Sequence, residues 1–298
     1  MALPNGIVIL HKGDGMTSHT AVAKVRRLFG ADKAGHTGTL DPMATGVLPV
    51  LLGRAVKASA YMTESSKHYL ATLRLGLTTD TEDITGTTLT TSDVIPSEAQ
   101  VREVAKTFVG EILQTPPMYS AIKVGGKRLM ELARQGKVVE REARPITVYS
   151  LTVTRLTDTD YALDVHCSKG TYIRTLCADI GASLGCGGCM ASLARTQAAG
   201  FSLSHAHTLE EFEGMSDEER KACVIPVEHL FLDAPKVVVA DFYAHLLQNG
   251  QAPLQKKLGV SFPVGTYVRL HDKEGFFALG IVPEHQPDVV KTLTLFRL

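Results

Sequence analysis

The chain has 298 residues, 44% of them hydrophobic, with 31 basic and 31 acidic side chains that leave a formal net charge of zero. That length supplies one large core and a smaller appendage, and the charge balance excludes indiscriminate binding to nucleic acid, so any RNA site has to be a local patch. No apolar run approaches the roughly 18 residues that span a bilayer, the N-terminus lacks a signal-peptide pattern, and five cysteines do not form a secreted disulfide framework, so a cytoplasmic protein without a membrane partner is expected.

The opening GIVILHK reads as a strand, followed by a turn at Gly13 to Gly15 and a helix capped by Thr17 or Ser18. Val22, Val25, Leu28 and Phe29 share one face of that helix, which leaves Lys24, Arg26 and Arg27 outward. Next comes the most informative stretch, GHTGTLDPMATG at 35–46, where Asp41 has no second acid beside it. A lone carboxylate cannot divide acid and base work with a partner, so the roles open to Asp41 are nucleophile, single general base or metal ligand. Pro42 biases it toward an extended or turn geometry, and the glycines allow a bulky ligand to approach the backbone. VLPVLLG then reads as a short buried strand and Ala55 to Met62 as a short helix. Residues 67–75 alternate, with Tyr69, Ala71, Leu73 and Leu75 on one face. The Thr- and Asp-rich stretch 78–93 reads as a loop or exposed hairpin, and Ser97 with Gln100 forms a capping box for the next helix.

Between Lys123 and Arg144 seven basic residues face three acidic ones, a local excess that suits phosphate contact as well as a solvated face. The strand Tyr161 to Cys167 passes through a Lys169-Gly170 turn into a helix with Ile173, Leu176, Cys177, Ile180 and Leu184 in helical repeat, ended by Gly185. Tyr172 and Arg174 therefore stand at a strand-to-helix junction, where a cation opposes the helix dipole and calls for a specific partner. Cys186 and Cys189 make one CxxC, half of a zinc site at most, so no metal is expected. Residues 210–221 read as a short helix and 226–235 as a linker. From Lys236 the pattern turns strand-rich and predicts a small β-barrel of about 63 residues. No GxxxxGK[ST] occurs, which leaves a phosphate-transfer enzyme without support.

Six segments in chain order carry a family resemblance: GMTS at 15–18, the loop at 35–46, KHYLATLRLG at 67–76, PPMYSAIKVGGKRL at 116–129, REARPITVY at 141–149 and CSKGTYIRTL at 167–176. Together they resemble the TruB family of tRNA pseudouridine synthases, which isomerise uridine 55 in the T loop of tRNA. The resemblance implies an α+β fold: a pseudouridine synthase-like catalytic domain over 1–230 around a mixed or antiparallel sheet, with an insertion at about 117–145 that closes over tRNA. It also implies a PUA-like RNA-binding barrel over 236–298. It makes Asp41 the nucleophile, at C6 of the base or C1′ of the sugar, after the uridine is flipped out of its stack. Arg174 would pair with that carboxylate. Tyr69 would stack on the base and is a candidate for removing the C5 proton, although a phenol is a poor base unless perturbed. Tyr172 and Leu193 would line the pocket, His36 would fill the vacated stack, and Lys12 would belong to the pocket floor or its support. No cofactor is required, tRNA is the only partner implied, and a monomer is the default. Two departures stand out: Gly13 where the family often has proline, and Ala194 where it tends to pair an arginine with the one here at Arg195. The competing class is an RNA-binding or RNA-folding protein that keeps the pocket without the chemistry.

Overall fold

A nine-stranded sheet forms the body of the molecule, drawing strands from widely separated parts of the chain. The computed structural model describes residues 4–63 and 65–297. Residues 1–3, at the start of the predicted catalytic domain, and Leu298, at the end of the last predicted strand, lie outside the described residues.

In chain order, β1 (Gly6–Lys12) leads to α1 (Ser18–Leu28), β2 (Ala34–His36), β3 (Thr45–Leu52), a 3-10 turn at Gly53–Ala58, α2 (Ser59–Thr63) and β4 (Lys67–Leu75). A hairpin of β5 (Leu77–Thr79) and β6 (Thr88–Thr91) precedes α3 (Glu98–Lys106) and β7 (Gly110–Gln114). Residues 115–143 form an insertion holding only β8 (Lys123–Val124), β9 (Lys127–Arg128) and α4 (Leu129–Ala133). The chain returns to the sheet with β10 (Arg144–Arg155) and β11 (Asp160–Cys167), then α5 (Ile173–Ser183), β12 (Gly188–Ala198), β13 (Phe201–Ser202) and the short helices α6 (Leu209–Gly214) and α7 (Asp217–Ala222).

The main strand order is β1-β3-β12-β4-β11-β10-β7, with β2 on β3 and β13 on β12. Every pairing is antiparallel except β3 with β12, where Thr45 and Gly46 lie beside Ala194 and Arg195. The sheet is therefore mixed, and its one parallel seam adjoins the end of the Asp41 loop. The period-2 pattern of β4 sends Tyr69, Ala71, Leu73 and Leu75 inward, into one core with the apolar stripes of α1, α3 and α5. The predicted capping box of Ser97 and Gln100 starts α3, and Thr17 caps α1 through its hydroxyl.

The C-terminal unit contains β14 (Lys236–Val238), α8 (Asp241–Gln248), β15 (Tyr267–Asp272), β16 (Gly275–Ile281) and β17 (Lys291–Leu295). Its strands pair in the order β14-β15-β16-β17, with β14 and β15 parallel. The strand-rich reading holds, but among the described residues the pairing does not close from β17 back to β14. The helix α8 was not legible as such, since a strand-rich reading passes over Ala244 and Leu247, whose i, i+3 spacing buries one helical face. Leu279 and Phe296 from this unit join Ile7, Ile9 and Val47 in a second core.

Candidate active site

The Asp41 loop is gripped from behind by three buried polar side chains. Ser18, at the start of α1, donates its hydroxyl to Leu40 O at 2.9 Å and accepts from the Leu40 N–H at 2.8 Å, immediately before Asp41. Lys12, the last residue of β1, is wholly buried, and its Nζ donates to Gly13 O, Pro42 O and Ala44 O at 2.9, 3.0 and 2.6 Å. Arg195 of β12, also buried, donates from Nε to Val47 O at 2.8 Å and from Nη2 to Gly38 O at 3.0 Å. The backbone groups of a loop that cannot pair with a strand are thus satisfied by side chains, two of them cations. Gly46 has φ +104°, and a Cβ there would lie 2.2 Å from Arg195 O, so only glycine lets the loop enter β3.

On the opposite side Arg174, in the first turn of α5, meets Asp41 with two nitrogens of one guanidinium edge. Its Nε lies 3.0 Å from Asp41 Oδ2 and its Nη2 3.4 Å from Oδ1. The same guanidinium donates to Thr81 O at 3.1 Å and Tyr119 O at 2.9 Å. The cation at the wrong end of a helix has its partner, as its position required.

One reading from the sequence needs correction. Asp41 has no second acid in its own loop, but the tip of the β5–β6 hairpin brings Asp83 to 3.8 Å from Arg174 Nη1. The 78–93 stretch is a hairpin, yet its tip is not all exposed: Asp83 and Thr79 are buried. Asp83 Oδ1 accepts from the Thr81 hydroxyl, the Thr85 hydroxyl and the Thr85 N–H, at 2.9, 2.6 and 3.0 Å. The physical reason is the single arginine, which draws both carboxylates to one place. Burial pushes the Asp41 carboxyl above its ordinary range, Arg174 and Lys12 pull it back down, and Asp83 adds to the rise.

Asp41, Tyr69, Tyr172, Arg174 and Leu193 line one cavity of about 610 Å³, together with residues of the insertion such as Tyr119 and Ile122. Such a volume suits a nucleotide-sized ligand. Tyr69 on β4 and Leu193 on β12 reach it from the sheet, both nearly buried. Burial pushes the Tyr69 phenol up, and the Arg195 guanidinium beside it pulls it down. Tyr172 caps α5 with its backbone, and burial raises its phenol too. His36 lies on β2, partly buried, with its Nδ1 accepting the Gly38 N–H at 3.3 Å. Burial lowers its pKa, which favours a neutral ring with the proton on Nε2. Lys12 lies beneath the loop, its ammonium occupied by three carbonyls, in the position of a support.

Ser18, Asp83 and Arg195 also belong to the site, although the local sequence marks Ser18 only as a helix cap, Arg195 only by its missing neighbour, and Asp83 not at all. Cys186 and Cys189 are buried, and burial holds the Cys189 thiol up at about 11, so it stays protonated. Among the described residues no cluster of His, Cys, Asp and Glu is arranged for a metal.

A family profile described as TruB family pseudouridylate synthase (N terminal domain) matches residues 26–173, and one described as tRNA pseudouridylate synthase B C-terminal domain matches 174–232. A tRNA pseudouridine synthase B from Alkaliphilus oremlandii is 42% identical over 98% of both chains. One from Clostridium kluyveri is 46% identical over 83% of this chain and 84% of its own. Among solved structures, a chain of a Cbf5-Nop10-Gar1 complex superposes with a TM-score of 0.72 at 27% identity, covering 99% of this chain and 85% of that one.

Proposed function

The chain belongs to the TruB family of pseudouridylate synthases, and from that premise we propose that it isomerises uridine 55 in the T loop of tRNA to pseudouridine, with Asp41 as the attacking group. The observation that carries this reading is the Asp41–Arg174 pair, met by Nε and Nη2 of one guanidinium edge, inside a nucleotide-sized cavity walled by Tyr69. In the reaction the C1′–N1 bond breaks, the base turns, a C1′–C5 bond forms, C5 loses its proton and N1 gains one. Atoms and electrons balance without an oxidant or reductant, so no cofactor is needed.

Attack at either C6 or C1′ requires ionised Asp41. Arg174 supplies one hydrogen bond and a close ion pair to that ionised form and fixes its direction, while the carbonyl-bound Lys12 and Arg195 keep the loop from yielding. Asp83 stands 3.8 Å from the guanidinium's Nη1 as a second ion-pair partner. The base, flipped from its stack, lies on Tyr69 with Leu193 and Tyr172 beside it, and the neutral ring of His36 fills the space it left. Stacking is the safer role for Tyr69, because burial makes its phenol a weaker acid and so keeps it protonated.

The catalytic domain corresponds to residues 1–230. Its insertion at about 117–145 closes the cavity over the T arm with its basic residues, and residues 236–298 form a PUA-like unit that contacts RNA beyond the target loop. The decisive experiment is tritium release from [5-³H]uridine-labelled T-arm RNA, by the wild type and by Asp41→Asn, with a control RNA whose target uridine is replaced. Release by the wild type alone, and only from the RNA with its target, supports the reading. Tight binding without release leaves an RNA-binding protein.

A further inference from the structure

Gln114 ends β7, one step before the insertion begins, and is 2% exposed. Its Nε2 donates to Tyr172 O at 3.0 Å, and its Oε1 accepts the Tyr172 N–H at 2.8 Å. A side chain thus makes the two bonds that a neighbouring strand would make, on the residue that caps α5 without a side-chain cap of its own. Two residues further on stands Arg174. In the sheet, Gln114 pairs in register with Arg144, where the insertion returns, and Arg141 Nη1 donates to Pro116 O at 3.0 Å across the base of the insertion.

We propose that Gln114 is a positioning residue for the isomerisation: its paired hydrogen bonds to the Tyr172 backbone fix the junction that carries Arg174 to the root of the insertion, and so set the Asp41–Arg174 geometry. The inference rests on the isomerase reading above. The Tyr172 N–H has no partner within α5, and the Tyr172 carbonyl also accepts the Leu176 N–H at 3.0 Å, so the Gln114 carboxamide satisfies the free donor and adds a second bond to the carbonyl. A shift of this junction moves the guanidinium against a carboxylate that the loop holds still, which lowers the rate more than the affinity for RNA.

The test is Gln114→Glu, nearly isosteric, measured by single-turnover tritium release and by T-arm binding from about pH 6 to about pH 8.5. A carboxylate keeps the acceptor for the Tyr172 N–H but sets a second oxygen against the Tyr172 carbonyl, and only the protonated acid restores the donor. Burial raises the pKa of such a group, so the protonated form persists toward the lower end of that range. The expected result is a Q114E rate near the wild-type rate at low pH that falls about ten-fold relative to it at high pH, with the Kd changed by less than about three-fold. Gln114→Met, which has neither hydrogen-bonding group, is expected to show a rate loss of similar size whose ratio to the wild type does not vary with pH. A flat Q114E to wild-type ratio overturns the inference, as does a Kd that rises in step with the rate loss. If Q114E does not fold, Q114M decides by the same split of rate against Kd. A wild type that releases no tritium fails the isomerase reading itself, whereas an active wild type with a flat ratio fails only the role of Gln114.

Discussion

The two walls of the cavity are built on opposite principles. The Asp41 loop has almost no regular structure, yet Ser18, Lys12 and Arg195 hold its backbone through five hydrogen bonds at its back, while two more tie Lys12 to Gly13 O and Arg195 to Val47 O beside it. The insertion facing it, 115–143, has two-residue strands, one five-residue helix and mostly exposed side chains, with Leu129 as its fully buried anchor. It reaches the Asp41–Arg174 pair through the carbonyl of Tyr119, which accepts from Arg174. The group proposed to react belongs to the wall that cannot move without breaking buried polar contacts. The basic surface proposed to grip RNA belongs to the wall that costs little to displace.

The largest effect that tests this contrast comes from the reacting group. Asp41→Asn is expected to lower single-turnover tritium release by on the order of 10⁴-fold or more while T-arm binding survives, because the amide keeps the shape and loses the nucleophile. Arg174→Lys keeps the charge but loses the contact made by two guanidinium nitrogens, and a rate loss of about 10²–10³-fold is expected from the same assay. Lys12→Met leaves the Pro42 and Ala44 carbonyls of the loop, and Gly13 O beside it, without their donor, so denaturant unfolding is expected to show a loss of about 2–3 kcal/mol. An unchanged midpoint breaks the claim that the loop is gripped from behind.

The pH profile sharpens the same point. In the proposed reaction Asp41 must be ionised to attack, and its pKa is raised by burial above the ordinary carboxylate range. The rate is therefore expected to fall as pH falls through that raised pKa, about ten-fold per unit at its limit, with the acid limb lying above that of an exposed aspartate. The smallest effect belongs to the other wall. A Lys127→Ala, Arg128→Ala double variant is expected to unfold within about 0.5 kcal/mol of the wild type. It should bind T-arm RNA several-fold more weakly, with a salt dependence of log K shallower by about 1–2. If that variant instead loses stability as Lys12→Met does, the two walls are not built differently.

Much of this architecture could be read from local patterns. The strand at 67–75, the Ser97–Gln100 cap, the helix after Gly170 and the junction position of Tyr172 and Arg174 follow from periodicity and turn chemistry within a few residues. Asp41 stood out for what its loop lacked, and the need of Arg174 for a partner followed from its place at a helix start. The helix α8 escaped because two buried positions inside a strand-rich stretch give too short a signal. Asp83 escaped because threonines and aspartates in sequence look like a solvated turn, whether or not an arginine far along the chain draws one of them inward.

The sequence by itself determined most of the elements, the family and the loop that carries Asp41, since hydrophobic period, glycine placement and motif order are written along the chain. Only the tertiary structure decided what surrounds that carboxylate: Arg174 is 133 residues from Asp41, Arg195 is 148 from the carbonyl it holds at Val47, and Gln114 is 58 from Tyr172. Buried charges and backbone groups must find partners wherever the fold brings them, and no local pattern records which distant residue arrives.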